Sequence, residues 1–365
     1  MSILHQVALT FIKNIGPSSV KAMVTHLGSA EAVFTASKAK LLQIPGIGEK
    51  RISYLDFDGA LKRAEEELFF IEKNGVDVIF FTNSRYPKKL KFCADSPVLL
   101  YSKGIADLNT QRVVSIVGTR NATDYGRQLC KQLVEELQSY NVLIVSGLAL
   151  GIDVAAHKEC IRLGMPTVGV LGHGLDKLYP SQNKATAQKM QENGGIITEF
   201  PSSTIPDREN FPQRNRIVAG MADATVVIEA GIKGGALITA EIANSYNRDV
   251  FAFPGRLGDE YSEGCNFLVR NNKAALLTCV ADLPYSLGWE KHSDLKATEQ
   301  MVLPIDLSAQ EMVIYEIIKQ HQTPLAIDDL SVKAQLPMSQ LTMTLLDMEL
   351  QGFIRSMPGK TYCIN

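Results

Sequence analysis

The sequence predicts an α/β chain: an extended, Rossmann-like parallel sheet flanked by an N-terminal helical module and a C-terminal winged-helix domain. Three observations carry this. Between residues 113 and 255, β-branched runs alternate with helical stretches, giving strands at 113–118, 141–147, 166–172, 194–200, 224–230 and 249–255. Unbroken apolar strands alternating with helices belong to parallel sheets covered on both faces. Residues 1–58 instead hold short helical segments punctuated by Gly16-Pro17 and Pro45-Gly46. The last sixty residues read as helix, turn, helix and a strand pair around Pro358-Gly359, which is a winged helix-turn-helix outline.

The elements follow in order. Ile15-Gly16-Pro17 precedes the helix SSVKAMVTHLG, and Ile44-Pro45-Gly46-Ile47-Gly48 precedes Glu49-Lys50-Arg51. The second of these resembles the helix-hairpin-helix signature of SAM-like modules, whose glycines let backbone amides approach a phosphate. A compact helical module used for packing fits residues 1–58 as well, since residues 1–83 balance nine basic groups against nine acidic ones. GALKRAEEELFFIEKNG is an amphipathic helix closed by Gly75, and strands follow at 76–81 and around 98–104. Helices are expected at 125–139, 151–163 and 183–193. The extended Rossmann-like domain is placed at 59–288. The polar stretch 289–306 lacks periodicity and reads as a linker, and 307–365 is the winged domain. That domain opens with a Ser308 cap and Glu311 three positions on.

Composition narrows the class. Of 365 residues, 45% are hydrophobic and 21% charged, as in ordinary globular proteins. No run of eighteen apolar residues exists and the N-terminus lacks a signal-peptide layout, so a cytoplasmic protein without membrane contact is expected. Six cysteines without a C-x-x-C spacing argue for buried thiols in a reducing compartment rather than a zinc site. The net charge of −2 hides an asymmetry: residues 85–131 carry nine Lys/Arg against three Asp, while 307–365 hold four basic and six acidic groups. The positive field belongs to the middle of the chain.

Ligands of open α/β sheets sit beyond the C-terminal strand ends. Four loops converge there: Gly118-Thr119-Arg120, Ser146-Gly147, Gly172-His173-Gly174 and Gly231–Gly235. The last of these, containing Lys233, Gly234 and Gly235, separates the buried strand ATVVIEA from a helix opening at Leu237. Such a loop bares N–H groups beside a positive dipole end, which suits a phosphate. Arg120, Arg214 and Arg216 add fork-shaped donors, Lys233 a point charge, and Lys184 a further cation. Asn215 either caps the following helix or orients the arginines. Phe211 is a candidate base-stacking ring, with a core anchor as the alternative. His157 and Asp153, one helical turn apart, lack a nucleophile or a metal partner, and hydrogen bonding that fixes the helix accounts for them. With no paired acids, triad or metal cluster, no catalytic residue, metal or cofactor is expected.

The blocks SIVGTRNATDYG (115–126), SGLALGIDVAAHKE (146–159), GVLGHGLDKLYPSQN (169–183) and FPQRNRIVAG…PG (211–255) resemble the DNA-processing protein A (Smf) family over roughly residues 85–270. Leu150 departs from that pattern where a basic residue is usual, and Gly234 and Ala236 where serines are common. The resemblance implies a homodimeric, non-enzymatic mediator that binds single-stranded DNA and hands it to recombinase A during natural transformation. It also implies a carboxy-terminal winged domain. The central run further resembles, loosely, nucleoside-monophosphate phosphoribohydrolases, with Arg216 on the phosphate and Glu241 acting on the ribosyl bond. A sequence-specific duplex reader is disfavoured, because the recognition-helix candidate 338–351 has no Lys or Arg and carries Asp347 and Glu349.

Overall fold

The computed structural model describes residues 2–291, 307–321, 325–357 and 361–364. The chain divides into two compact units, residues 1–294 and 295–365.

The first unit is built on a nine-stranded sheet. Its strands are β1 (Asp77–Phe80), β2 (Leu99–Gly104), β3 (Arg112–Val117), β4 (Val142–Ser146), β5 (Thr167–Val170), β6 (Gly195–Thr198), β7 (Ala224–Val227), β8 (Asp249–Ala252) and β9 (Ala275–Leu276). They lie in the order β1-β2-β6-β5-β4-β3-β7-β8-β9. All neighbours from β6 to β9 are parallel, while β1–β2 and β2–β6 pair antiparallel. The parallel strands thus grow outward from β3 in both directions, and the β3/β7 boundary is the switch point of the sheet.

Side chains alternate across β3 as the pleat requires. Val113 and Val117 enter one apolar layer, and Val114 and Ile116 the other. The first layer includes the helices Asn210–Met221 and Gly235–Ser245; the second includes Asp124–Leu137 and Ile152–Leu163. The N-terminal helices are continuous with the first layer, since Val7, Met23, Val33 and Leu41 share one core with Leu90 and Ile217. Polar links reinforce this seam: Lys21 Nζ donates to Ser96 O at 2.6 Å, and Ser202 N to the fully buried Glu67 at 2.8 Å. In the glycine hairpin, Arg51 Nη1 donates to Gly46 O at 2.6 Å and to Ser19 Oγ at 3.1 Å.

Two expectations need correction, and two elements were not foreseen. The apolar run 224–230 is strand only to Val227; Ile228–Ala230 continue as extended loop, tied to Val117 O and Tyr261 O. The helix around Asn215 begins five residues earlier, at Asn210, because Pro212 sits in its first turn, where a missing N–H costs nothing. Asn215 is therefore mid-helix and caps nothing. The helix Glu263–Arg270 and the two-residue β9 were not legible, since β9 is too short and too exposed to show a period.

Trp289–Lys291, the start of the expected linker, lie against the first unit: Arg112 Nη1 donates to Glu290 O at 2.7 Å and its guanidinium sits over Trp289. The rest of the linker lies outside the described residues. All six cysteines are free, and four of them are buried. Among the described residues no helix is long and apolar enough to cross a membrane.

The second unit has the helices Ala309–Lys319, Ile327–Ala334 and Met338–Leu350, with an antiparallel sheet of β10 (Leu325–Ala326), β11 (Ile354–Met357) and β12 (Thr361–Ile364) in the order β10-β12-β11. Ser308 and Glu311 form the capping box that their spacing predicts. Helix 338–350 turns Leu341, Leu345 and Met348 into the core and leaves Met343, Leu346 and Leu350 exposed. The wing tip at Pro358-Gly359-Lys360 lies outside the described residues.

His157, fully buried on helix 152–163, fixes that helix to the sheet. Its Nδ1 meets Thr167 Oγ1 at 2.7 Å and its Nε2 faces Gly147 O at 3.4 Å. Burial pushes the imidazole down to about 4, the bond to Gly147 opposing it. An unfolded histidine titrates near 6.5, so between about pH 6.5 and 4 the unfolded chain takes up a proton that the folded chain excludes. Stability should fall with pH through that window, by roughly 3 kcal/mol from this residue. Urea unfolding at pH 7 and pH 4 checks it: His157→Gln should lose about 3 kcal/mol less than wild type over that interval.

Candidate nucleic-acid interface

A cleft of about 570 Å³ opens at the C-terminal ends of β3, β4 and β7. Gly118, Thr119 and Arg120 form one wall, and Phe211, Arg214 and Asn215 of helix 210–221 another. The loop Gly231–Gly235, leading into helix 235–245, closes the third side, and Glu260, Tyr261 and Glu263 the fourth. The first amides of helix 235–245 have no intrahelical partner and belong to residues lining the cleft.

Two buried ionisable side chains, Arg214 and Asp153, line the cleft floor. Arg214 is 6% exposed and Asp153 7%. Gly147 lies between them, and a Cβ there would stand 2.2 Å from Asp153 Oδ2 and 2.3 Å from Arg214 Nη1, so only glycine fits. Arg214 Nη1 donates to Val170 O at 2.6 Å, and Asp153 Oδ2 accepts from Ala149 N at 3.4 Å. Burial pushes the Asp153 carboxyl above its usual range, and the Arg214 guanidinium opposes that shift. Arg214 Nε is buried without a hydrogen-bond partner.

The predicted residues divide into those at the cleft and those elsewhere. Arg120 is exposed, and its guanidinium stands over the Phe211 ring at 5.3 Å. Phe211 is half-buried, tilted against Tyr179 at 6.3 Å, and lines the cleft instead of anchoring the core. Lys233 is exposed at the mouth of the glycine loop. Among the described residues neither Arg120 nor Lys233 has an ion-pair partner, in contrast to the arginines elsewhere that meet Asp or Glu. Asn215 Nδ2 donates to Gly235 O at 3.4 Å and ties the two helices at the cleft. Gly234 N–H closes the loop on Gly231 O at 3.0 Å.

Three predicted residues are placed away from the cleft. Arg216 points to the opposite face of its helix, since two positions correspond to about 200° of rotation. It donates there to Glu199 and to Asp95 O. Ser146 is fully buried, its hydroxyl donating to Ile116 O. Lys184 is exposed at the start of helix Lys184–Met190 and is not among the residues lining the cleft. His173 is a structural residue, with Nδ1 donating to Gly174 O at 2.8 Å and Nε2 accepting from Tyr179 N at 3.2 Å. Glu241, the acid of the phosphoribohydrolase reading, pairs with Lys273 at 2.5 Å on the outer face of helix 235–245 and does not line the cleft. Among the described residues no group of three His, Cys, Asp or Glu could hold a metal.

Tyr261 was missed. It lines the cleft and its hydroxyl accepts from Asn121 Nδ2 at 2.9 Å, bridging the loops after β3 and β8. The signal available was its position shortly after Pro254-Gly255 at a parallel strand end.

The family model for DNA recombination-mediator protein A matches residues 77–288, the DprA winged-helix model residues 299–360, and a SAM-like helix-hairpin-helix tandem residues 7–53. The protein Smf of Synechocystis is 32% identical over 98% of both chains. The crystal structure of DNA processing protein A from Streptococcus pneumoniae matches with a TM-score of 0.63 and 29% identity, covering 80% of this chain and all of that one. DNA processing protein A from Helicobacter pylori, whose structure concerns its single-stranded DNA binding mode, matches with a TM-score of 0.54 and 29% identity over 59% of this chain and 97% of its own. The chain therefore belongs to the DNA recombination-mediator protein A family.

Proposed function

We propose that the chain binds single-stranded DNA along the β3/β7 cleft, as a cytoplasmic homodimer, and hands it to recombinase A during natural transformation without catalysing a reaction. The observation that carries the reading is the arrangement of Arg120 and Lys233, two unpaired cations flanking the first turn of helix 235–245, with the Phe211 ring under Arg120. Phosphates would lie between the cations and the helix amides, and a base on the exposed aromatic wall. Glu260 and Glu263, which also line the cleft, repel phosphates and favour the part of it nearer Arg120 and Phe211. The single-stranded DNA binding of the Helicobacter relative supports the ligand class. The remoteness of Glu241 speaks against phosphoribohydrolase chemistry.

Affinity should fall with salt by about 0.7 log unit per phosphate contact per decade. In fluorescence-anisotropy titrations at several salt concentrations, Arg120→Ala and Lys233→Ala should each flatten the slope by about one contact. Arg216→Ala should leave the slope unchanged, because its guanidinium is engaged with Glu199 and Asp95. A flat wild-type slope would reject the cleft as the DNA site.

Glu241→Gln should bind DNA as wild type does, and neither protein should release free base from nucleoside monophosphates in a chromatographic assay. Glu241-dependent release would reverse the assignment.

The second unit is acidic and its exposed helix face is apolar, so we assign it to protein contact. Truncation at about residue 290 should leave single-strand affinity within about threefold, less than the ~1.4 kcal/mol of a tenfold change. Residues 300–365 alone should show no duplex binding in a gel shift at physiological salt. Duplex binding there would assign phosphate contacts to the wing, around Arg355.

A further inference from the structure

Two helices leave the sheet at its switch point, one after β3 and one after β7, and each could offer a phosphate its first-turn amides. They are not equivalent. Helix 235–245 opens into the cleft. Helix 124–137 starts where a dinucleotide's pyrophosphate sits in sheets of this architecture, and a carboxylate of the protein bonds its N-cap residue there. Glu229, just beyond β7, is 5% exposed. Its Oε2 accepts from Thr123 N at 3.0 Å and its Oε1 from Thr123 Oγ1 at 2.5 Å. Thr123 Oγ1 in turn accepts from Gly126 N at 3.1 Å. A Cβ on Gly126 would stand 2.1 Å from Glu229 Oε2, so the glycine in the first helical turn makes room for the carboxylate. Behind this plug lies a second cavity of about 840 Å³, bordered by Thr123, Tyr125, Glu229, Gly255, Arg256 and Tyr261.

We propose that Glu229 is a resident anion that selects against free nucleotides. Its carboxylate takes the phosphate position of the first helix and leaves only helix 235–245 to meet an incoming ligand. A mononucleotide or dinucleotide phosphate would have to displace a doubly bonded carboxylate or sit beside its charge, which is unfavourable at close range. A polynucleotide instead gathers several weaker phosphate contacts along the neighbouring cleft and has no need of the plugged position. The inference deepens the DNA-binding reading and rests on it for the ligand that is admitted, but not for the ligands that are shut out.

The test compares the full-length protein with Glu229→Ala. Each is titrated with inorganic phosphate and with AMP, against chloride at matched ionic strength, by calorimetry and by melting temperature. Glu229→Ala should bind both anions at least tenfold more tightly than wild type, and its melting temperature should rise with phosphate and not with chloride. Equal affinities in the two proteins would overturn the proposal. If Glu229→Ala does not fold in chloride, recovery of folded protein in phosphate is the same positive result, and failure to recover overturns it. A single-stranded DNA titration of wild type runs alongside. Absence of binding there would remove the DNA reading, while the phosphate comparison would still decide the role of Glu229.

Discussion

The cleft depends on one buried pair. An unpaired charge in an apolar interior is expensive, so Arg214 and Asp153 must be placed together or not at all. Asp153 belongs to helix 152–163 and Arg214 to helix 210–221, and between them passes Gly147 at the end of β4. Arg214 also reaches Val170 O, at the end of β5. The guanidinium thus bonds the end of β5 directly and stands beside Asp153 of helix 152–163 across Gly147. The rest follows in sequence: helix 210–221 carries Phe211 and Asn215, and Asn215 reaches Gly235 at the start of the helix that follows Lys233. Helix 210–221, which Arg214 anchors from the cleft floor, thus carries the ring under Arg120 and the amide that reaches the loop of Lys233.

The same pair shows where sequence reading works and where it stops. The alternation of apolar strands and helices is a property of local pattern, so the parallel sheet and its rim of loops were legible. The antiparallel β1 and β2 were visible as strands, but their direction is a matter of tertiary pairing. Arg120 and Lys233 were legible because they stand in loops beside glycines. Arg214 and Arg216 looked alike in the triplet Arg-Asn-Arg, yet a helix sends residues two apart to opposite faces. Recognising that the helix starts at Asn210, ahead of the proline, would have separated them. Ser146 failed for a related reason: a strand-end serine can face either way, and here it bonds Ile116 O within the sheet. Tyr261 comes from a loop with no periodicity to mark it.

Charge is distributed by compartment. The whole chain is at −2, and the cleft itself holds both signs, with Arg120, Lys233, Glu260 and Glu263 all among its lining residues. A uniformly basic surface would attract any polyanion; a groove that mixes both signs also restricts where along it a phosphate can lie. In the second unit the exposed stripe Met343, Leu346 and Leu350 takes the place of the cations that a groove-reading helix needs.

Arg216 ties the cleft to a distant part of the molecule. From the back of helix 210–221 it holds Asp95 O and Glu199, while Tyr246 bonds the Asp95 carboxylate and Lys21 of the N-terminal module bonds the adjoining Ser96. Burial raises the Glu199 carboxyl, and Arg216 opposes that shift. The helix is thus pinned on both sides, by Arg214 toward the strand ends and by Arg216 toward the module. It cannot roll to suit an occupant of the cleft without loosening the seam behind it, which makes the N-terminal module part of the rigidity of the groove even though none of its residues lines that groove.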